Sequence, residues 1–456
     1  MDIEAFKEYY LDPISLGLED SAAPLPQIFK SMQELKITAE EAVTDSRTTY
    51  TFINKNLDII TIPHEAYLYV TTTNSQSSGD LDQTNLVGIP NTAGLIDGFD
   101  FLINDTTVCT QNNSLASTLY AVNNAVFAPD SKSLEYVGLA DEDKGPINLQ
   151  SAKKDRTGAC EWKIPLKYVI PFLKENKILW GVKQTLKITR ATVADVIYAI
   201  GAGTAVPHGD IELTDIQLRM PYVKLENQKQ LALWNSMYSS EVNRYWLDCD
   251  QFMGDIDSNI AEHTNKVFRV TTKGLQNKPR YLLLHAVDPS STAGRDKYRP
   301  IGFGNTTYAD ASNALRLKKL RIKLNGIYID SGDVLEFTNV SAGTTNAAAN
   351  DPYANHKGYH RAYDEYCKFF GQYYSKRDSV KSFDDWLQSQ LYVFDLNNID
   401  SEQIFASSGN SLIIEIEYST YVGTDVAANF RLVANVMYDK MLTVRHSDNR
   451  AILTVN

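Results

Sequence analysis

Apolar and polar residues alternate with period two through Leu320–Asp330, LRIKLNGIYID. Leu320, Ile322 and Leu324 share one face and Arg321 and Lys323 the other, the pattern of a half-buried strand. Asn325-Gly326 then supplies two residues that tolerate positive φ, as a two-residue hairpin turn requires, and Ile327 and Ile329 resume the alternation. Phe99–Val108, FDFLINDTTV, has the same form: Phe99, Phe101 and Ile103 alternate into Asn104-Asp105, followed by Thr107. The two asparagines lie 325 − 104 = 221 positions apart, close to half of 456 residues. The spacing predicts one β unit built twice.

The first half reads as strands at Ile28–Thr38, Arg47–Asn54 and Leu57–Thr71, the last with an edge or bend at Pro63. A polar loop, Thr72–Asn85, precedes the Asn104 hairpin. Leu115, Leu119, Val122 and Val126 then recur at helical spacing, predicting a short helix over Ser114–Phe127 with Ser114 as N-cap. Strands resume at Cys160–Leu166 and Ile178–Arg190, where Trp180, Val182, Leu186 and Ile188 oppose Lys183, Thr185 and Lys187. After the loop Ala199–Asp210, Ile211–Leu225 places Ile216, Leu218, Met220 and Tyr222 opposite Gln217 and Arg219.

A linker near Glu226–Leu233 leads into the same order again: strands at Arg244–Phe252, Asn265–Thr272 and Pro279–Val287, a loop at Asp288–Asn313, then the Asn325 hairpin. The loop Ser341–Asn355 precedes a helix, Tyr359–Tyr374, with Tyr359, Tyr363, Tyr366, Phe370 and Tyr373 on one stripe. The strands Leu391–Asp395 and Leu412–Tyr418 follow, and a last strand runs from Phe430 to Val444. Pro63-x-x-x-Tyr67-Leu68 also matches Pro279-x-Tyr281-Leu282 at an offset of 279 − 63 = 216. The predicted fold is all-β: two tandem eight-stranded jelly rolls, each a β-sandwich with a short helix inserted between strands. Residues 1–27 form an N-terminal arm, 28–226 the first jelly roll and 227–456 the second. The arm carries Asp2, Glu4, Glu8, Asp12, Glu19 and Asp20 against Lys7, then Pro24 and Pro26, a composition that resists packing into a core.

Composition sharpens this picture. The 26 Tyr and 17 Phe favour sheet over helix. A formal net charge of −12 repels phosphate, so sequence-directed nucleic-acid binding is not the main task. Cys109, Cys160, Cys249 and Cys367 lack metal-ligand spacing and read as buried thiols in a reducing compartment. Met1–Tyr10 is acidic and carries no apolar run, and Val193–Val206 is too short and polar to cross a membrane. The expectation is synthesis in the cytoplasm or nucleus, without secretion or a membrane span.

A search for chemistry ends without a catalytic, cofactor-binding or metal-binding residue. His64, His208, His263, His285, His356, His360 and His446 contain no H-x-H, and the His356/His360 pair has no carboxylate in zincin spacing. Gly201-Ala202-Gly203 reads as a loop rather than a nucleotide cradle, and Asp384-Asp385 as a helix start or turn. The basic run Arg316, Lys318, Lys319, Arg321 and Lys323 reads as a solvated strand face. The competing reading turns that face toward packaged nucleic acid or an acidic neighbour. No enzymatic activity or cofactor is expected, and function should lie in surfaces.

Several stretches carry a family likeness: Trp162–Arg190; Asp215–Leu225 with its Arg-Met-Pro trio; Lys278–Leu284, KPRYLLL; Leu320–Phe337; and the Tyr-rich Tyr359–Tyr374. Their shared order, spanning most of residues 47–444, resembles the double jelly-roll major capsid proteins of Polinton-like and adintovirus-like DNA viruses and virophages. Virus-derived copies of these proteins occur in animal genomes. The arm and the loop 288–313 have no counterpart, and the chain is shorter than many viral members, so its tower loops are reduced. The resemblance implies a homotrimer: three chains form a pseudo-hexameric capsomer of six barrels that tiles an icosahedral shell. Implied partners are the chain itself, neighbouring capsomers, penton and other minor capsid proteins, and at most non-specific contact with packaged DNA. The implied location is the virion capsid. A carbohydrate-binding β-sandwich module, a cupin-like metalloenzyme and a host-captured capsid-derived protein are the competing readings.

Overall fold

The computed structural model describes residues 29–44, 48–75, 86–89, 96–111, 147–148, 159–174, 178–190, 198–200, 210–225, 242–255, 265–273, 279–287, 316–329, 335–337, 358–373, 383, 386, 391–396, 411–421, 431–447 and 450–455. The arm 1–27, the expected helix Ser114–Phe127 and the loops 288–313 and 341–355 lie outside them.

The first half contains β1 (Phe29–Thr38), β2 (Thr49–Asn54), β3 (Ile60–Thr61), β4 (Tyr67–Ser75), β5 (Leu86–Ile89), β6 (Ile96–Ile103), β7 (Thr106–Gln111), β8 (Ile147–Asn148), β9 (Ala159–Pro165), β10 (Gln184–Arg190), β11 (Tyr198–Ile200) and β12 (Asp210–Leu225). The second contains β13 (Val242–Met253), β14 (Lys266–Lys273), β15 (Pro279–Val287), β16 (Arg316–Leu324), β17 (Ile327–Tyr328), β18 (Leu335–Glu336), α1 (Tyr359–Tyr373), β19 (Tyr392–Asp395), β20 (Ser411–Tyr421), β21 (Arg431–Ser447) and β22 (Arg450–Val455).

Strand pairing repeats between the halves. Sheets β1-β12-β4-β9 and β2-β10-β6-β7 form the first half, and β13-β21-β15-β19 and β14-β20-β16-β17 the second. Counting eight principal strands in each half, the first pairs with the eighth, the eighth with the third and the third with the sixth. In the facing sheet the order is second, seventh, fourth, fifth. That is the jelly-roll order, present twice, and every pairing is antiparallel. Among the described residues no strand of one half pairs with a strand of the other.

Side-chain alternation fills each sandwich. In β12, Ile216, Leu218 and Met220 are buried and join Leu68, Val70 and Ile164 in one core. Ile322 and Leu324 of β16 and Ile414 and Ile416 of β20 do the same in the second. Each such residue contributes about 1.5–3 kcal/mol on full burial. β15 is a central strand, and its run LLLHAV is buried throughout, as an apolar run without alternation requires. α1 packs along edge strand β19, and Phe369 meets Tyr281 edge-on at 4.8 Å.

Several expectations need correction. The segment Leu57–Thr71 does bend at Pro63 as expected, where Pro63–Glu65 forms a 3-10 turn because proline has no N–H for the ladder, but it is strand only over β3 and from the start of β4. β4 then runs on to Ser75, into the expected loop. Ile178–Arg190 becomes strand only at Gln184, although Trp180 and Val182 are buried as the alternation implied. Short strands β11, β5 and β8 form an additional sheet that the pattern did not reveal. Helix α1 buries Tyr359, Ala362, Tyr366 and Phe369. The inward stripe therefore includes Ala362 and Phe369, and Tyr363 is half-buried beside it. β21 is not the last strand, since β22 folds back on its far end.

Candidate functional site

The residues that carry chemistry are dispersed. His64 Nδ1 lies 3.1 Å from the Leu173 carbonyl, and burial, with Lys167 nearby, lowers its pKa. His285 is fully buried in β15, and desolvation lowers its pKa to about 3, so it is neutral at physiological pH. His360 stacks on Phe383 at 4.4 Å. His208, His263 and His356 lie outside the described residues, as do Gly201–Gly203 and Asp384-Asp385. Cys109 and Cys249 are buried and Cys367 is partly buried; desolvation raises all three thiol pKa values, which favours the thiol over the nucleophilic thiolate. Among the described residues no group of three His, Cys, Asp or Glu lies close enough to hold a metal ion.

Within the basic run on β16, the side chains of Lys319, Arg321 and Lys323 are described, and those of Arg316 and Lys318 lie outside the described ones. Lys323 pairs with Glu417, Lys319 with Glu336 at 2.8 Å, and the Arg321 guanidinium sits 3.3 Å from the Tyr328 ring centre. Arg269 of β14 pairs with Glu415 at 2.8 Å. Lys323 and Arg321 stand directly opposite Glu415 and Glu417 of β20. At these three positions the cations of one strand therefore meet a carboxylate or an aromatic ring of a neighbouring strand, as a cross-strand charge ladder does.

The outer face of the first half carries a second cross-strand network. Glu34 of β1 accepts from the Tyr67 hydroxyl at 2.7 Å and from Arg219 Nη1 at 3.0 Å. Arg219 also donates to Gln217 Oε1 at 2.9 Å and lies over the Tyr69 ring, while the Lys163 ammonium sits 4.1 Å from the Tyr67 ring centre. Partial desolvation and the Glu34 carboxylate raise the Tyr67 pKa to about 12. These ties fix rotamers on an exposed sheet face, which lowers the entropy lost when such a face is covered.

A joint between the halves is the feature the pattern reading missed. β13 and β21 extend beyond their own sandwich, so Trp246, Leu442 and Val444 enter the first core. Trp246 meets Phe172 edge-on at 5.1 Å, and Phe172 lies 5.6 Å from Phe101. Above this contact the Cys109 thiol of β7 donates to Asp248 Oδ1 at 3.2 Å, and Lys440 pairs with the same carboxylate. Burial raises the Asp248 pKa, and Lys440 opposes that shift. Arg244 donates to the Ile178 carbonyl at 2.5 Å. The available signal was Asp248 itself, an acid sharing the strand parity of Trp246 in Trp246-Leu-Asp248.

Both hairpins carry one device. The Asn104 N–H donates to the Lys183 carbonyl at 2.9 Å, and Asn104 Oδ1 accepts the Lys183 N–H at 2.8 Å. Asn325 does the same with Ile413, at 2.8 Å for each bond. Asn104 and Asn325 have φ of 47° and 48°, values that asparagine tolerates. This twofold clasp ties the fourth–fifth strand turn to the seventh strand in each half.

No protein-family model matches the chain, and no curated protein matches it in sequence. Solved structures do match, over nearly the whole length. A chain of the PBCV-1 virus capsid is 10% identical, with a TM-score of 0.55, covering 93% of this chain and 96% of that one. A chain of the Sputnik virophage is 10% identical, with a TM-score of 0.56 and coverage of 96% and 91%. The mavirus major capsid protein is 9% identical, with a TM-score of 0.54 and coverage of 96% and 92%. At these identities the likeness is one of fold, and it spans both jelly rolls in tandem.

Proposed function

We propose that the chain is a structural major capsid protein, a shell building block without enzymatic activity. Residues 28–226 and 227–456 are its two barrels, and residues 1–27 an arm. The observation that carries the reading is the repeated strand order of two jelly rolls, joined where Trp246, Leu442 and Val444 of the second half enter the core of the first, in a chain that follows viral capsid chains over nearly its whole length. Two rigidly joined barrels offer unlike faces to a neighbouring copy. Three copies joined head to tail close into a ring of six barrels without growing into a fibre. Such a pseudo-hexamer tiles an icosahedral shell of a DNA virus or a virus-derived element. Its partners are its own copies, then penton and other minor capsid proteins. Any contact with packaged DNA is non-specific at most, a reading that the net charge of −12 and the pairing of Lys319 and Lys323 with acids support. Among the described residues no helix is long and apolar enough to cross a membrane. The protein's place is the virion capsid, after synthesis in the host cytoplasm or nucleus.

Negative-stain electron microscopy of the purified protein tests this reading. Particles with a six-lobed outline and threefold averaging support it. Two-lobed single chains at every concentration contradict it.

A further inference from the structure

Asn325-Gly326 is the single Asn-Gly pair in the sequence. Chemically it is the pair in which asparagine is most easily deamidated, because glycine leaves its own backbone nitrogen unshielded. The Gly326 nitrogen attacks Asn325 Cγ, forming an N–Cγ bond. The Cγ–Nδ2 bond breaks, and Nδ2 leaves as ammonia with the proton released from the glycine N–H. Water then opens the five-membered imide at one of its two carbonyls, giving aspartate or isoaspartate. Water is the only co-reactant, and no electrons change hands.

The fold opposes the first step. The Asn325 N–H donates to the Ile413 carbonyl, and Asn325 Oδ1 accepts the Ile413 N–H at 2.8 Å. Backbone and side-chain carbonyl are thereby both tied to β20, and Cγ cannot swing onto the Gly326 nitrogen while the clasp holds. The turn is otherwise open to water: Gly326 is exposed, and nothing lies within 4 Å of the position a Cβ would take. We propose that Asn325 is a deamidation site held in check by its clasp to Ile413, and that it converts when the β16–β17 hairpin opens.

The two products differ in consequence. Aspartate keeps the Oδ1 acceptor for Ile413. Isoaspartate adds a methylene to the backbone of a turn that has room for two residues, so the buried Leu324 beside it loses register. A chain left open for long is thus marked against re-forming its second barrel. The first half supplies an internal control. Asn104 has the same clasp, with Lys183, but is followed by Asp105, whose side chain shields the attacking nitrogen. The inference stands whether or not the protein builds a shell.

The test incubates the full-length protein in mildly alkaline buffer with and without urea, then maps both sites by peptide mass spectrometry with isoaspartate detection. Conversion at Asn325 should be about ten-fold or more faster in urea, since the folded rate is scaled by the fraction of open hairpin. Asn104 should lag behind Asn325 in urea. Equal rates at Asn325 in the two buffers would overturn the protective clasp, and an intact Asn325 in urea would overturn the site. Refolding from urea should fall in step with isoaspartate, whereas an Asn325→Asp variant should refold. Isoaspartate protein that refolds as well as that variant would overturn the proposed consequence.

Discussion

His285 shows how one buried side chain makes the whole chain sensitive to acid. It sits on β15, fully excluded from water, and desolvation moves its pKa from 6.5 to about 3. An unfolded chain binds a proton on this ring below pH 6.5, while the folded chain stays neutral down to about 3. Folding is therefore favoured above 6.5 and loses stability as pH falls through that window, by up to about 1.4 kcal/mol per pH unit for one proton. Asp248 acts in the opposite sense. Its raised pKa makes the folded state bind more protons than the unfolded one between the ordinary carboxylate value and the raised one. Asp248 thus adds stability as pH falls through its raised pKa. Urea midpoints across mildly acidic pH should drop less steeply for His285→Leu than for the native protein. Parallel slopes would show that other groups set the acid response.

At the scale of elements, the stability of each sandwich rests on strands whose inward positions are mainly apolar, with a few buried polar exceptions such as Gln184, His285 and Asn435. Leu218 on β12 is 3% exposed, between Ile37 of β1 and Leu68 of β4. Leu218→Asp buries an unpaired carboxylate at a cost of several kcal/mol. The variant should be insoluble or lack cooperative thermal unfolding by circular dichroism; a soluble, cooperatively melting variant would mean that β12 faces the other way. Such strands were legible because alternation is a local signal. The hairpins at Asn104 and Asn325 were legible for the same reason, since Asn-Asp and Asn-Gly supply the positive φ that the turns adopt. Other elements were hidden by their chemistry. β5, β8 and β11 are two to four residues long, too short for a period to register. β22 follows the polar run His446–Asn449, which resembles a chain end more than a turn. In α1 the aromatic stripe hid Ala362, a small residue buried in the second core.

For the whole molecule, the joint decides whether the two halves act as one body. Its contacts link residues far apart in sequence, from Arg244 and Ile178 at a separation of 66 to Cys109 and Asp248 at 139, and no local pattern reports them. Trp246 is 3% exposed inside the first core while belonging to a second-half strand. Trp246→Ala should cost about 3–5 kcal/mol, and hydrogen exchange should show the loss in β6 and β7 of the first half as well as in β13. A loss confined to the second half would mean that the first core is complete without it. A locked pair of barrels is also what the proposed capsomer requires, because a loose joint would let the ring close with varying numbers of copies.

On the proposed function, this duplicated barrel exists to pack against copies of itself. Light scattering on the purified full-length protein, coupled to size exclusion, measures that directly. A species of three times the 51.1 kDa chain mass is expected. A single-chain mass at every concentration and salt would contradict it.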